Sequence, residues 1–350
     1  MKDRDVEILR SPELLAIRDA GRARLESVFD GTQEGVFFLR GPDAYTTRVD
    51  IDPVEWMEDR VGWLADRARE ILSEPDDLRF RPLAMTYNPR EVHYIDHLLG
   101  ADVVDICPEP EECNWQVNYL KTPVGQLQPI DLASHPVWQD TVRFTEALLS
   151  LELPSVHVGM PTISSALNIA MNLYGQEFLI ALMVETEAAT HDLRVINDLL
   201  LEIHRWYIAN VPADVLQPIC AGDRYQPVGF GQLCACSAQL ISAETYAEHI
   251  LPLDAEILQC YPHGGMVHIC GAHGHQIPNW KSMPEVRAIQ FNYPATKDFH
   301  QYWTDLRDDQ VLYLDLREEE FPLRTMLAGS DGGKRCVFVG EIPDDYDPQD

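Results

Sequence analysis

The stretch Gly265-Met-Val-His-Ile-Cys-Gly-Ala-His-Gly-His275 is where the reading of this chain begins. Gly265–Ile269 is a short apolar run broken by one histidine, the length and make-up of a buried strand. Gly271 and Gly274 follow and let the backbone pass close to a ligand. His268, Cys270, His273 and His275 place four metal-binding or polar side chains within eight residues. A strand that ends in such a cluster fits α/β folds in which the chemistry gathers at the C-terminal ends of parallel strands.

Working outward, further short apolar runs alternate with helical patterns. Strands are expected at 83–87, 103–106, 155–158, 215–219, 287–291, 311–315 and 336–339. Between them, helical spacing covers 137–151, 164–173, 187–209, 243–261 and 295–307. In the segment 187–209, Leu193, Ile196, Leu200 and Ile203 fall on one face. Before the first of these strands, Ser11-Pro12-Glu13 caps a helix to Phe29, and Asp52-Pro53 opens another to about Leu72. Eight strands, several followed by a helix, predict a (β/α)8 TIM-type barrel with an N-terminal helical extension. The chain is then one domain, with residues 1–80 as helices and extension and 81–343 as the barrel.

Composition narrows the function. A length of 350 residues lies within the range of such barrels, which run from about 250 to 400 residues with insertions. The formal charge of −30 repels a phosphate backbone and argues against nucleic-acid partners. No run nears the roughly 18 apolar residues that span a bilayer, and Met1-Lys-Asp-Arg-Asp-Val-Glu7 has no apolar signal core. A cytoplasmic chain without membrane contact is expected. In that compartment the eight cysteines are core residues, metal ligands or reactive thiols rather than disulfides. No P-loop, dinucleotide loop or Gly-x-Ser-x-Gly elbow is present.

Three segments carry a family resemblance. The first runs from Pro161 to His191 and contains Ala170-Met-Asn-Leu-Tyr-Gly-Gln-Glu-Phe-Leu179 and Glu185-Thr-Glu-Ala-Ala-Thr-His191. The second is Leu240-Ile-Ser-Ala-Glu-Thr-Tyr-Ala-Glu-His-Ile-Leu-Pro252, and the third is Gly265-Met-Val-His-Ile-Cys-Gly271. In this order and spacing they resemble the uroporphyrinogen decarboxylase superfamily, nearest in motif to its corrinoid-dependent, zinc-binding methyltransferases. The resemblance implies zinc on His268, Cys270 and a third, distant ligand. It also implies a small-molecule substrate and a corrinoid protein as partner; a homodimer is a further expectation. Imidazole plus thiolate two residues apart at a strand end suits zinc.

The third ligand stays open among Cys336, Glu341 and Cys236. Cys336 sits at the family's sequence separation but begins the last strand, roughly 15 Å from its far end. Glu341 lies at that far end, in Gly340-Glu-Ile-Pro343, where the resemblance implies a cysteine. Cys234-Ala-Cys236 falls in the loop expected after residue 219, where many of these methyltransferases carry Asp-Pro. The chain also departs from true porphyrinogen decarboxylases, because Arg18-Asp-Ala-Gly-Arg-Ala23 lies within a helix and lacks their tyrosine. The competing reading is a metal-free decarboxylase or lyase centred on Asp223.

Other polar residues near strand ends complete the candidates. Asp223, Arg224 and His157 are candidates for proton transfer or charge stabilisation. Tyr87, His93, Gln226, His273, His275 and Asp315 are candidates for binding substrate.

Overall fold

The computed structural model describes residues 3–40, 51–75, 77–106, 115–218, 224–292, 295–316, 322–344 and 346. Its strands are β1 (Phe37–Leu39), β2 (Arg79–Phe80), β3 (Leu83–Met85), β4 (Asp102–Asp105), β5 (Trp115–Asn118) and β6 (Val156–Gly159). They continue with β7 (Leu216–Gln217), β8 (Gly231–Cys234), β9 (Gly265–Cys270), β10 (Val286–Asn292), β11 (Val311–Asp315) and β12 (Cys336–Val339). A seven-stranded parallel sheet runs β2-β1-β12-β11-β10-β9-β8, and a three-stranded parallel sheet runs β3-β6-β7. Only Arg81 and Pro82 separate β2 from β3, and a proline there removes a ladder donor. The fold is mixed α/β. Among the described residues no ladder joins β7 to β8, so the hydrogen bonds do not draw the closed eight-stranded ring expected above.

The strand tally differs from expectation in instructive ways. The run 103–106 is not part of the parallel sheets. It pairs antiparallel with β5, in register Asp102↔Asn118 to Asp105↔Trp115, and both strands are partly exposed. Conversely β1, β2 and β8 are too short, or too poor in β-branched residues, to stand out in sequence. Because β1 and β2 belong to the seven-stranded sheet, the first 80 residues supply strands as well as helices.

Parallel register stacks residues from neighbouring strands into rows on one face. One row is Cys234, His268, Gln290, Tyr313, Val337 and Phe37. The row towards the strand C-termini includes Cys270, Asn292, Asp315, Val339, Leu39 and Phe80. The face that carries these rows is packed by Leu25, Val28, Phe29, Tyr225, Phe230 and Met266. The opposite face joins the large helical core through Leu233, Val267, Ile269, Ile289, Leu312 and Phe338.

The inner face curls around Tyr225. Its ring packs edge-on against Phe80 of β2 and His157 of β6, while Tyr313 of β11 donates to its carbonyl at 2.8 Å. The helix Pro12–Phe29, capped by the Ser11 hydroxyl, closes the opposite end of this space. Gly21 presses on the Phe80 ring so closely that a Cβ there would sit 2.1 Å from it. Arg18, Arg22 and Arg24 of this helix donate to the carbonyls of Pro154, Asp214 and Leu78, each one or two residues before a strand. The N-terminal strand ends are therefore sealed, and the C-terminal ends carry the polar residues. Among the described residues no single helix is long and apolar enough to cross a membrane, and the one helix pair there that passes the test together is bent by 115°.

Candidate metal centre

Cys234 ends β8 and pairs in register with His268 on β9, so both side chains point to the same face. A tight turn at Ala235 and the 3-10 helix Cys236–Leu240 bring Cys236 back beside them. The ligand atoms of Cys234, Cys236 and His268 all lie within 4.8 Å of one another. The Cys234 and Cys236 Sγ atoms are 3.5 Å apart, and Cys270 Sγ lies 2.7 Å from Cys236 Sγ. Cys270 follows His268 by two residues and so shares its face. The arrangement offers three thiols and an imidazole.

His268 is almost wholly buried, and its orientation is set from β10. Its Nδ1 hydrogen-bonds Gln290 Oε1. The Gln290 amide donates to Phe291 O at 2.8 Å and Asn292 Oδ1 at 3.1 Å, which fixes its oxygen towards the imidazole. Nδ1 is thus committed as a donor, and Nε2, which also meets Arg224 Nη2 at 3.3 Å, is the ring atom that could serve a metal. Asn168, at the start of the helix Ala166–Tyr174, donates to Cys234 Sγ at 3.5 Å and accepts from Ser237 N at 2.8 Å. His273 is fully buried, with Nδ1 2.9 Å from Gly271 O and Nε2 3.0 Å from Cys236 O. It ties the loop after β9 to the loop after β8.

The thiols polarise one another. Hydrogen bonds with Cys234 and Cys270, together with burial, push the Cys236 thiol far up. The same bond, assisted by His268, holds Cys270 down at about 5 and Cys234 well below the ordinary thiol range. For His268, burial and Arg224 disfavour the charged ring, but Cys234 and Cys270 outweigh them and raise it. Thiolates beside an imidazole are the donor set that zinc takes.

The expected residues distribute unevenly. His268, Cys270 and Cys236 come together, and Arg224 joins them with Nη2 3.3 Å from His268 Nε2. Cys336 does not. It pairs with Leu312, one residue off the Val337 row, so it faces the outer core, where burial pushes its thiol up to about 12. Glu341 does not reach the cluster either. It is largely exposed and forms ion pairs with Arg40 at 2.5 Å and with Arg79. Asp223 lies outside the described residues.

His157 is buried on the inner face and accepts from the Tyr225 hydroxyl at 2.8 Å; burial and the nearby Arg22 and Arg18 push it down to about 3. It faces the sealed end, away from the thiols. Gln226 is buried and clasps Gln217 and Gly231 through its backbone and amide, a structural role between β7 and β8. Tyr87 packs on Phe144 in the outer core. His93 bonds Asp96 at 2.7 Å. His275 is exposed and bonds Ile241 O at 3.0 Å. Asp315 is buried at the end of β11, in the same row as Cys270 and Asn292. Gln290 and Asn168 carry no sequence signal of their own. Only the strand register and the helix position reveal them.

No protein-family model and no curated protein sequence matches the chain. Solved structures do match it in fold. A methyltransferase from Methanosarcina mazei superposes over 91% of this chain and 92% of its own, with a TM-score of 0.56 at 13% identity, a likeness of fold.

Proposed function

We propose that the chain is a zinc-dependent methyltransferase that moves a methyl group from a corrinoid to a thiol or similar nucleophile. The carrying observation is the convergence of Cys234, Cys236 and His268, with Cys270 adjacent, at the C-terminal ends of parallel strands. The donors fit the ion. Two sulfurs on one tetrahedral zinc lie about 3.8 Å apart, given Zn–S of about 2.3 Å, close to the 3.5 Å between Cys234 and Cys236. The superposed structure being a methyltransferase supports the same reading.

When bound, zinc would supply Lewis acidity that lowers the pKa of a substrate thiol. The chain's own residues prepare the place. Gln290 holds His268 so that Nε2 faces the thiols. Asn168 donates to Cys234 and tempers its charge. Arg224 adds positive charge that favours an anionic nucleophile there. The corrinoid would arrive on a partner protein. Ile180, Met183 and Val184 of the helix Gln176–Val184 are exposed together and offer an apolar surface for such a partner or a second copy of the chain.

The reading includes barrel closure within one domain. The orders β8-β9-β10-β11-β12-β1-β2 in one sheet and β3-β6-β7 in the other are those that such closure would follow. Tyr225 touches strands from opposite arcs, and the Gln217–Gln226 clasp bridges the gap. The test is metal analysis of protein purified under reducing, chelator-free conditions, followed by methyl transfer from methylcobalamin to 2-mercaptoethanol. About one zinc per chain and zinc-dependent transfer are expected. Protein without metal, or transfer unaffected by its removal, overturns the proposal.

A further inference from the structure

The chain carries an excess of negative charge, yet at one spot a guanidinium sits beside two imidazoles with no carboxylate paired to it among the described residues. Arg90 follows β3, on the C-terminal side of the sheet. Its guanidinium lies 5.9 Å from the Trp115 ring and is half-buried, with Nε shielded from solvent and without a hydrogen-bond partner. Beside it are His97, on the helix Tyr94–Leu98, and His135, at the N-terminus of the helix Pro136–Ser150; their rings are 6.0 Å apart. His135 Nδ1 is likewise buried without a partner. Burial, then Arg90, push both imidazoles below their ordinary range. Among the described residues none of the three forms an ion pair. Asp96, next to His97 in the chain, holds His93 at 2.7 Å and Asn172 at 2.8 Å through one oxygen, while its other oxygen is buried without a hydrogen-bond partner.

A half-buried guanidinium without a carboxylate costs free energy that something must offset. The backbone adds to the cost, because Arg90 and Glu91 both adopt the left-handed conformation, with φ of 64° and 51°. Strain of this kind collects at functional sites. The first turn of the 15-residue helix Pro136–Ser150 adds further positive potential.

The spot is linked to the metal centre. Asn172 and Asn168 are four residues apart on one face of the helix Ala166–Tyr174, so about one 5.4 Å turn separates the bond to Asp96 from the bond to Cys234. We propose that Arg90, His97 and His135 receive a small anionic group, a carboxylate, phosphate or sulfonate, carried by the substrate whose nucleophile reaches the thiol cluster. Assigning the anion to that substrate rests on the metal-centre reading; the anion site does not.

The experiment titrates inorganic phosphate, against chloride at matched ionic strength, into the full chain by calorimetry and thermal shift. Wild type, Arg90→Gly and His135→Asn are compared, each with and without metal. Wild type should bind phosphate and melt higher with it, whether or not metal is present. Arg90→Gly should lose about tenfold or more in affinity and His135→Asn about threefold, since charged hydrogen bonds carry most of such binding. Arg90→Gly also relieves the left-handed backbone, so it should melt no lower than wild type in chloride alone. Equal phosphate affinity in wild type and Arg90→Gly, or no response in wild type, overturns the site. Binding that vanishes when metal is stripped would place the anion on the metal and overturns it too. Zinc content measured on the same samples reports separately on the metal reading.

Discussion

Gln290 on β10 accepts a hydrogen bond from His268 Nδ1 on β9, across a register pair that sets both side chains on the same face. This contact decides which imidazole nitrogen meets the thiols. Gln290→Leu keeps the volume and removes the acceptor. It should weaken zinc binding by about 10- to 100-fold while the chain stays folded. Competition against a chromophoric chelator measures it, and an unchanged affinity would remove Gln290 from the site.

The proposed ligand set is separable by substitution. Cys234→Ser, Cys236→Ser and His268→Ala should each leave the purified protein with little zinc. Cys336→Ser and Glu341→Ala should keep full stoichiometry, because neither residue reaches the cluster. Glu341→Ala should cost no more than about 1 kcal/mol, the range of exposed ion pairs. Elemental mass spectrometry with a parallel urea melt checks both statements.

Close approach of β8 and β9 brings Cys234 to His268. Gly231 and Gly265 face each other there, and a Cβ on Gly265 would stand 2.1 Å from Gly231 O. That neighbour is backbone and cannot swing away. Gly265→Ala should therefore destabilise by about 2 kcal/mol or more and reduce zinc affinity with it. Normal stability and metal content in this variant would contradict the packing described.

His157 and His204 are fully buried, and burial pushes both down to about 3. His204 meets the Tyr261 hydroxyl at 2.6 Å. The folded-state values lie below the unfolded value of about 6.5, so the unfolded chain binds more protons in between. Their stabilisation is fully present above pH 6.5 and drains as pH falls towards 3. Each histidine contributes a slope of about 1.4 kcal/mol per pH unit across that window. Imidazole carbon shifts followed by NMR should show both rings neutral at pH 5.

Asp254 runs the other way. It is fully buried, and burial raises it to about 7, although the Tyr246 hydroxyl donates to it at 2.6 Å. Its ionisation is penalised in the fold, so its cost grows as pH rises from about 4 to 7. Asp254→Asn should gain more thermal stability at pH 8 than at pH 5. An equal change at both values would show that burial does not disfavour the charge.

The sequence alone determined the α/β class and most helices. The Ser11-Pro12 cap, for instance, begins a helix that ends at Phe29 as expected. Capping and apolar periodicity are local, so one stretch of chain suffices to read them. It also determined that His268 and Cys270 share a face, since two residues in a strand always do. Tertiary structure decided the rest of the centre. β8, with the weak pattern Gly-Gln-Leu-Cys, is a strand only because β9 pairs with it. That pairing turns Cys234 from a loop thiol into a neighbour of His268. One residue of register turns Cys336 to the outer core, and the charges of Arg40 and Arg79 hold Glu341 aside. Ligand sets join residues far apart in sequence, and their distances are fixed by strand register and packing rather than by spacing along the chain.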